Sequence, residues 1–171
     1  MNTDILIKRR SIRKYKNTAV PEELLDKILE AGTFAPTGMN RQTPVMVAVR
    51  DRETRDFLER ENAKVMGNES GKPFYGAPVV IVVFYNPEVY TSFEDGCLVM
   101  GNLMNAAYAV GLGSCWIHRA KEVFETPEGK ELMKKWGVPE NFIGVGNCII
   151  GYADEEPAPR PRKDGYIIKV K

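Results

Sequence analysis

The chain has 171 residues, 43% of them hydrophobic and 27% charged, which suits one folded domain with a sizeable core and excludes a disordered or fibrous chain. Its formal net charge is +1, without the strong positive excess of a nucleic-acid-binding domain, and no apolar run reaches the ~18 residues of a membrane span. The three cysteines, Cys97, Cys115 and Cys148, are odd in number, widely spaced and without a CxxC pair, which argues against a disulfide scaffold and against a zinc site. The start, MNTDILIKRRS, places its charges after its apolar residues, the reverse of a signal peptide, so the expected location is cytoplasmic.

In chain order, Asn2 or Thr3 is placed to cap a short helix through DILIKRR, with Ile5 and Leu6 as its apolar side. VPEELLDKILEAG carries the marks of a helix: Pro21 in the first turn, Glu22 and Glu23 after it, a face of Leu24, Leu25, Ile28 and Leu29, and Gly32 to end it. TFAPTGMNRQTP reads as a loop and VMVAV (Val45–Val49) as a short buried strand. RETRDFLERENAKVMG reads as a polar surface helix, GNESGKPFYG as a linker, and APVVIVVFY (77–85) as the strongest strand signal in the chain. Residues 91–112 form a long helix, apolar on most faces of its middle, which predicts burial in a core or against another subunit. RAKEVFETPEGKELMKKWG gives two short helices, the second begun by Pro127, and FIGVGNCIIGYA a last central strand. A Pro-rich arm then leads to a short alternating strand over 166–171. With no internal repeat and no second domain, residues 1–171 read as a single α+β domain, a central mixed sheet flanked by helices.

Four stretches could carry chemistry. In KRRSIRKYK, residues 8–16, six of nine residues are cationic; Arg9, Arg10 and Arg13 with Ser11 offer guanidinium forks and a hydroxyl to a phosphate or carboxylate, or simply form a solvated basic face. PRPRK near the end holds Arg160 and Arg162 on an extended backbone that projects both to one side, and could converge with the first cluster on one small phosphate or remain an exposed tail. In APTGMNRQTP, Pro36, Gly38 and Pro44 fix a turn, while Thr37, Asn40 and Gln42 present amide and hydroxyl groups suited to a ring that both donates and accepts hydrogen bonds. In GLGSCWIH, glycines permit close backbone approach and Trp116 could cover a flat ring, although neither a GxGxxG nor a Walker loop is present. His118 is the only histidine and has no Asp–His–Ser order around it.

RRSIRKY, APTGMNRQ, GLGSCWI and PRPRK, in this order and at compatible spacing over essentially the whole chain, resemble the nitroreductase family of FMN-dependent oxidoreductases, as a short single-domain member. The resemblance implies a nitroreductase-like α+β homodimer with tightly bound FMN at the subunit interface, and the FMN phosphate as the anion that the basic stretch meets. It implies that Arg9, Arg10, Ser11 and Arg13 contact the flavin, that Arg160 and Arg162 close over the phosphate, and that Trp116, Ile117 and His118 lie along the flavin. Pro36, Thr37, Gly38, Asn40 and Gln42 would line it from the partner subunit. One departure is RQTPVMV, where Thr43 precedes Pro44 and no aromatic comes after it; another concerns the Asn and Lys that larger members carry upstream of the second strand, for which Asn68 and Lys72 are the candidates.

The resemblance further implies ping-pong hydride transfer from NADPH or NADH to nitroaromatic or quinone-like acceptors, with the flavin supplying the chemistry and no protein acid–base pair required. An arginine of RRS would stabilise the charge that develops on the reduced ring. The alternatives are other FMN chemistry on the same fold, such as dehalogenation or flavin breakdown, and flavin binding without turnover. The expected partners are a second copy of the chain and a small-molecule acceptor, with no nucleic acid, no membrane and no metal. Cys115 is expected only to pack.

Overall fold

The computed structural model describes residues 3–171. Its elements are α1 (Asp4–Lys8), α2 (Glu22–Thr33), a one-turn 3₁₀ helix (Gly38–Asn40), β1 (Val45–Val49), α3 (Arg52–Val65), β2 (Val79–Tyr85), α4 (Ser92–Ala109), β3 (Gly113–Ile117), α5 (Ala120–Glu125), α6 (Pro127–Trp136) and β4 (Ile143–Gly151). The four strands lie in the order β1-β2-β4-β3, and each neighbouring pair is antiparallel. The expected mixed sheet is therefore antiparallel in its strands, and parallel pairing is confined to the isolated bridge between Ser11 and Ser114.

The continuous apolar run of β2 has a direct cause. Val79, Ile81 and Val83 enter one core beneath α2 and α4, whereas Val80, Val82 and Phe84 enter a second core with Leu58 of α3 and Phe124 and Met133 of α5 and α6. Both faces of the central strands are thus covered by helices, and alternation of polar and apolar residues has no place there. β4 is used in the same way, with Cys148 and Ile150 in the first core and Ile149 in the second.

Several expectations are revised. Gly32 does not end α2, which continues to Thr33; a Cβ at Gly32 would stand 2.6 Å from Met46 Sδ and 2.9 Å from Leu103 Cδ2, so the glycine serves packing between α2, β1 and α4. The long helix ends at Ala109 rather than at residue 112, because Gly111 takes φ 81° and turns the chain toward β3. Thr3 occupies the N-cap of α1 without a side-chain capping bond, and Asn2 lies outside the described residues. Residues 166–171 form no strand and are exposed: an isolated strand needs an edge to pair with, and the arm meets none in this chain. β3 has no clear sequence signal, since five residues beginning Gly-Ser carry little alternation. Among the described residues, no helix is long and apolar enough to cross a membrane.

Leu103, on the inner face of α4, is fully buried in the first core. Leu103→Ala should destabilise the protein by about 2–5 kcal/mol, read as a lower urea midpoint at unchanged m-value.

Candidate functional site

After α1 the chain runs along the sheet edge as a strap. Arg9 is extended at φ −53° and ψ 137°, Ser11 bridges Ser114 of β3, and the Ile12 N–H donates to Ser114 O at 3.0 Å. A Cβ on Gly113 would stand 2.7 Å from Ile12 Cγ1, so glycine at that position is what lets the strap press against β3. Further along, Tyr15 bridges Ala153, while the N–H groups of Lys16 and Asp154 donate to Tyr152 O and Lys14 O, each at 2.9 Å. The Arg13 N–H donates to Glu155 Oε1. The strap therefore ties β3 to the continuation of β4.

Its cations are partnered unequally. Lys8 pairs with Asp4 at 2.8 Å and Lys14 with Asp154 at 3.0 Å, and Arg10 Nη1 donates to Ile7 O and Arg9 O, each at 2.8 Å, which satisfies a carbonyl at the end of α1. Arg9 differs, because its Nη1 is buried without a hydrogen-bond partner. A buried cationic donor with no acceptor is costly, and it marks a place where an anionic or carbonyl oxygen belongs.

Arg9 and Arg10 line a cavity of about 430 Å³ together with Lys8, Ile12, Tyr108 and Gly111, Leu112 and Gly113, a volume within the ~300–1,000 Å³ range of ligand pockets. Its far wall comes from Ala153, Glu155, Glu156, Pro157 and Pro159. The N-terminal basic stretch and the C-terminal arm thus meet at one cavity. Arg160 and Arg162 do not line it; they follow Pro159 along the arm, exposed, with Arg162 Nη2 donating to Arg160 O at 3.0 Å. Ser11 and Arg13 flank the cavity on the strap without lining it. Glu155 and Glu156 have no marker in the sequence, where DEEP reads as solvated arm.

Trp116, Ile117 and His118 occupy the end of β3. Trp116 is half-buried on the α4 side with its Nε1 buried and unpartnered, and its ring centroid is 5.7 Å from that of exposed His118. The Ile117 side chain enters the opposite core, so only its backbone is free to meet a ligand at the sheet edge. Two buried asparagines that sequence reasoning does not disclose hold this exit. Asn147 Nδ2 donates to Ile117 O at 3.2 Å and His118 O at 3.3 Å, and Asn62 Nδ2 donates to His118 O at 2.7 Å. Asn62 Oδ1 accepts from Arg119 Nε at 2.9 Å, at a residue whose φ is 74°. Asn62 sits in a helix that reads as solvated, so no local signal marks it; Asn147 alone stands out, as an amide within an apolar strand.

The interface-loop candidates lie elsewhere. Pro36 is exposed, and Thr37, Gly38, Asn40 and Gln42 form a turn that rests on the first turn of α4. The Gly38 N–H donates to Asp95 Oδ1 at 3.0 Å, the Gln42 N–H to Thr37 Oγ1 at 3.1 Å, and Gln42 Nε2 to Asn40 Oδ1 at 3.0 Å. Thr43, which departs from the family pattern, joins its hydroxyl to that of Ser92 at 2.8 Å. The Arg9 cavity lies instead at the other end of α4, at Tyr108 and Gly111. Eighteen helical residues rise about 27 Å, so one chain cannot bring the loop and the cavity together. Asn68 and Lys72 are engaged locally, with Ser70 at 3.0 Å and Glu59 at 3.9 Å respectively, and line neither place.

No thiol is activated here. Burial pushes Cys148 up to about 12, and burial also raises Cys115 despite Arg13 and Arg9 nearby; both pack in the cores. Among the described residues no group of three or more His, Cys, Asp or Glu could hold a metal ion.

The nitroreductase family profile matches residues 6–152. A protein of Methanothermobacter thermautotrophicus, provisionally named NADH dehydrogenase/NAD(P)H nitroreductase, is 31% identical over 89% of this chain and 77% of its own length. A crystal structure of a nitroreductase with bound FMN from Bacteroides fragilis superposes with a TM-score of 0.92, at 27% identity over 100% of both chains. The iodotyrosine deiodinase of Thermotoga neapolitana is 27% identical over 96% of this chain and 95% of its own. A family match over residues 6–152, most of the chain, places this chain in the nitroreductase family.

Proposed function

We propose that this chain is an FMN-dependent oxidoreductase that works as a homodimer and passes electrons from NADH or NADPH to a planar nitroaromatic or quinone-like acceptor. The observation that carries the reading is the buried, unpartnered Nη1 of Arg9 in a cavity of cofactor size that both ends of the chain build. The FMN-bound relative and the NAD(P)H named for another support the same cofactor pair. Bound FMN supplies hydride acceptance from the nicotinamide and delivery to the second substrate in alternate half-reactions.

The chain's own residues bind and polarise. Arg9 gives its free N–H to an anionic or carbonyl oxygen of the cofactor, where a preoriented donor favours the charge that develops on reduction. Arg10 and Ser11 extend that contact along the strap, Arg13 adds a cation beside it, and Arg160 and Arg162, next to Pro159 on the arm, serve the phosphate. Trp116, His118 and the Ile117 backbone form the neighbouring wall, held by Asn62 and Asn147. No acid–base pair is assigned. The deiodinase, matched along nearly its whole length, supports reductive dehalogenation as a second reading. Nucleic-acid binding is disfavoured, because Lys8 and Lys14 are held in ion pairs within the chain. The free thiols suit a reducing cytoplasm.

The surface of α4 supports the dimer. Phe93, Leu98 and Tyr108 on α4 and Leu6 and Ile7 on α1 are exposed, and Gly101, at the centre of α4, has nothing within 4 Å of a Cβ built on it. A mid-helix glycine costs about 1 kcal/mol relative to alanine, and no described residue packs against it to compensate. Close approach of a second α4 compensates for it. An antiparallel crossing at Gly101 sets the start of one α4 against the end of the other, which carries the Pro36–Gln42 loop of one chain to the Arg9 cavity of its partner.

The purified protein should show flavin absorption near ~450 nm that bleaches anaerobically with NADPH or NADH; a colourless protein that FMN cannot reconstitute refutes the assignment. Replacing Arg9 and Arg10 together by alanine should weaken FMN binding at least about a hundredfold, from two charge-assisted bonds, measured by flavin fluorescence. Gly101→Leu should shift sedimentation from dimer to monomer and abolish FMN retention together, and a dimer that holds FMN normally would rule out the crossing.

A further inference from the structure

The turn over residues 37–43 departs from ordinary backbone more than any other described segment. Met39, Asn40 and Gln42 take φ 55°, 54° and 51°, a left-handed region that Asn tolerates but that costs residues such as Met39 and Gln42 free energy. Met39 is 85% exposed and Asn40 and Gln42 are exposed as well, so packing of their side chains does not impose this geometry. Thr37 holds the middle of the turn, its carbonyl accepting the Asn40 N–H at 2.9 Å and its hydroxyl the Gln42 N–H at 3.1 Å, and the first turn of α4 holds its two ends. Asp95 is 3% exposed; its Oδ1 accepts the Gly38 N–H at 3.0 Å and its Oδ2 the Thr91 hydroxyl at 3.1 Å. A Cβ at Gly38 would stand 2.2 Å from Thr91 Oγ1, so the turn is pressed against this pair. At its other end Ser92, fully buried, meets the Thr43 hydroxyl and accepts the Asn86 N–H at 3.0 Å.

A buried carboxylate is expensive to remove from water. No described Lys, Arg or His forms an ion pair with Asp95; its support is one backbone N–H, one hydroxyl and the positive end of α4. An apolar residue there would avoid that penalty but would leave the Gly38 N–H without its acceptor. We infer that Asp95, acting through the Gly38 N–H with Thr91 as its brace, is the positioning residue that fixes the strained turn so that Asn40 and Gln42 meet the flavin in the partner subunit's cavity. The inference rests on the proposed flavin site and dimer. Asp95 touches neither cofactor nor substrate; it acts through the turn, and the Gln42–Asn40 hydrogen bond then sets which amide atoms face outward.

The test compares wild type, Asp95→Asn, Asp95→Ala and Thr91→Val as purified dimers. FMN dissociation constants come from flavin fluorescence, the flavin environment from visible circular dichroism, and assembly from sedimentation. Asp95→Ala should weaken FMN binding about tenfold, the loss of one charge-assisted bond to a backbone N–H, and alter the visible dichroism while the protein stays dimeric. Asp95→Asn, which keeps an acceptor for Gly38, should recover most of both. A dimeric Asp95→Ala with wild-type FMN affinity and dichroism overturns the inference and leaves the flavin reading intact. A wild type that binds no FMN overturns both. If Asp95→Ala does not fold, Thr91→Val decides, since it removes one bond from the carboxylate and keeps the side-chain shape: a severalfold loss of affinity with altered dichroism supports the inference, and no change in either refutes it.

Discussion

The length of α4 governs how this protein can work. A helix from Ser92 to Ala109 separates the loop seated on its first turn from the cavity at its last by about 27 Å, and the core beneath it fixes both ends. Val99, Met100, Leu103 and Ala107 bury one side of the helix against the sheet, so it cannot bend to bring its ends together. In the proposed dimer each chain therefore carries two separate parts of the flavin site. The exposed side of the same helix, with open Gly101 at its centre, is where two such chains can complete one another in the proposed dimer.

Buried polar groups obey a consistent pattern. Asn62, Ser92, Asp95, Ser114 and Asn147 are the buried polar residues among those described, and each lies at the start of a helix, in β3 or in a contact to the exit of β3. Their side-chain hydrogen bonds go to backbone groups of Gly38, Asn86, Met104, Ile117 and His118 or to the side chains of Thr43, Thr91 and Arg119, not to one another. Buried polar atoms are costly unless satisfied, and here they hold irregular backbone in one geometry beside the candidate site. Among the described residues, the buried side-chain atoms without a partner, Arg9 Nη1 and Trp116 Nε1, lie in two segments expected to meet the flavin.

Charge is arranged with the same selectivity. The basic stretch looks uniform in sequence, yet ion pairs take up Lys8 and Lys14 and backbone carbonyls take up Nη1 of Arg10, leaving Arg9 Nη1 as the buried donor in need of an acceptor. Glu155 is turned to the Arg13 N–H and keeps the arm against the strap. Acid and base share one cavity, which reconciles a strongly cationic segment with a chain of net charge +1.

By itself the sequence determined the helices and the two central strands, because apolar periodicity and Pro and Gly positions act locally, and it determined the family, because four motifs stand in order. Gly32, Asn62 and Asp95 were opaque: a glycine near a helix end, an amide in a polar helix and an acid in a first turn all have ordinary local meanings. Only the tertiary structure decided that Gly32 admits Met46 and Leu103, that Asn62 clamps the exit of β3, and that Asp95 holds a strained turn from 57 residues away. It also decided which cation of the basic stretch is buried without an acceptor, and that the two parts of the candidate site stand a helix apart. Those are contacts between segments distant in the chain, and local propensity carries no information about them.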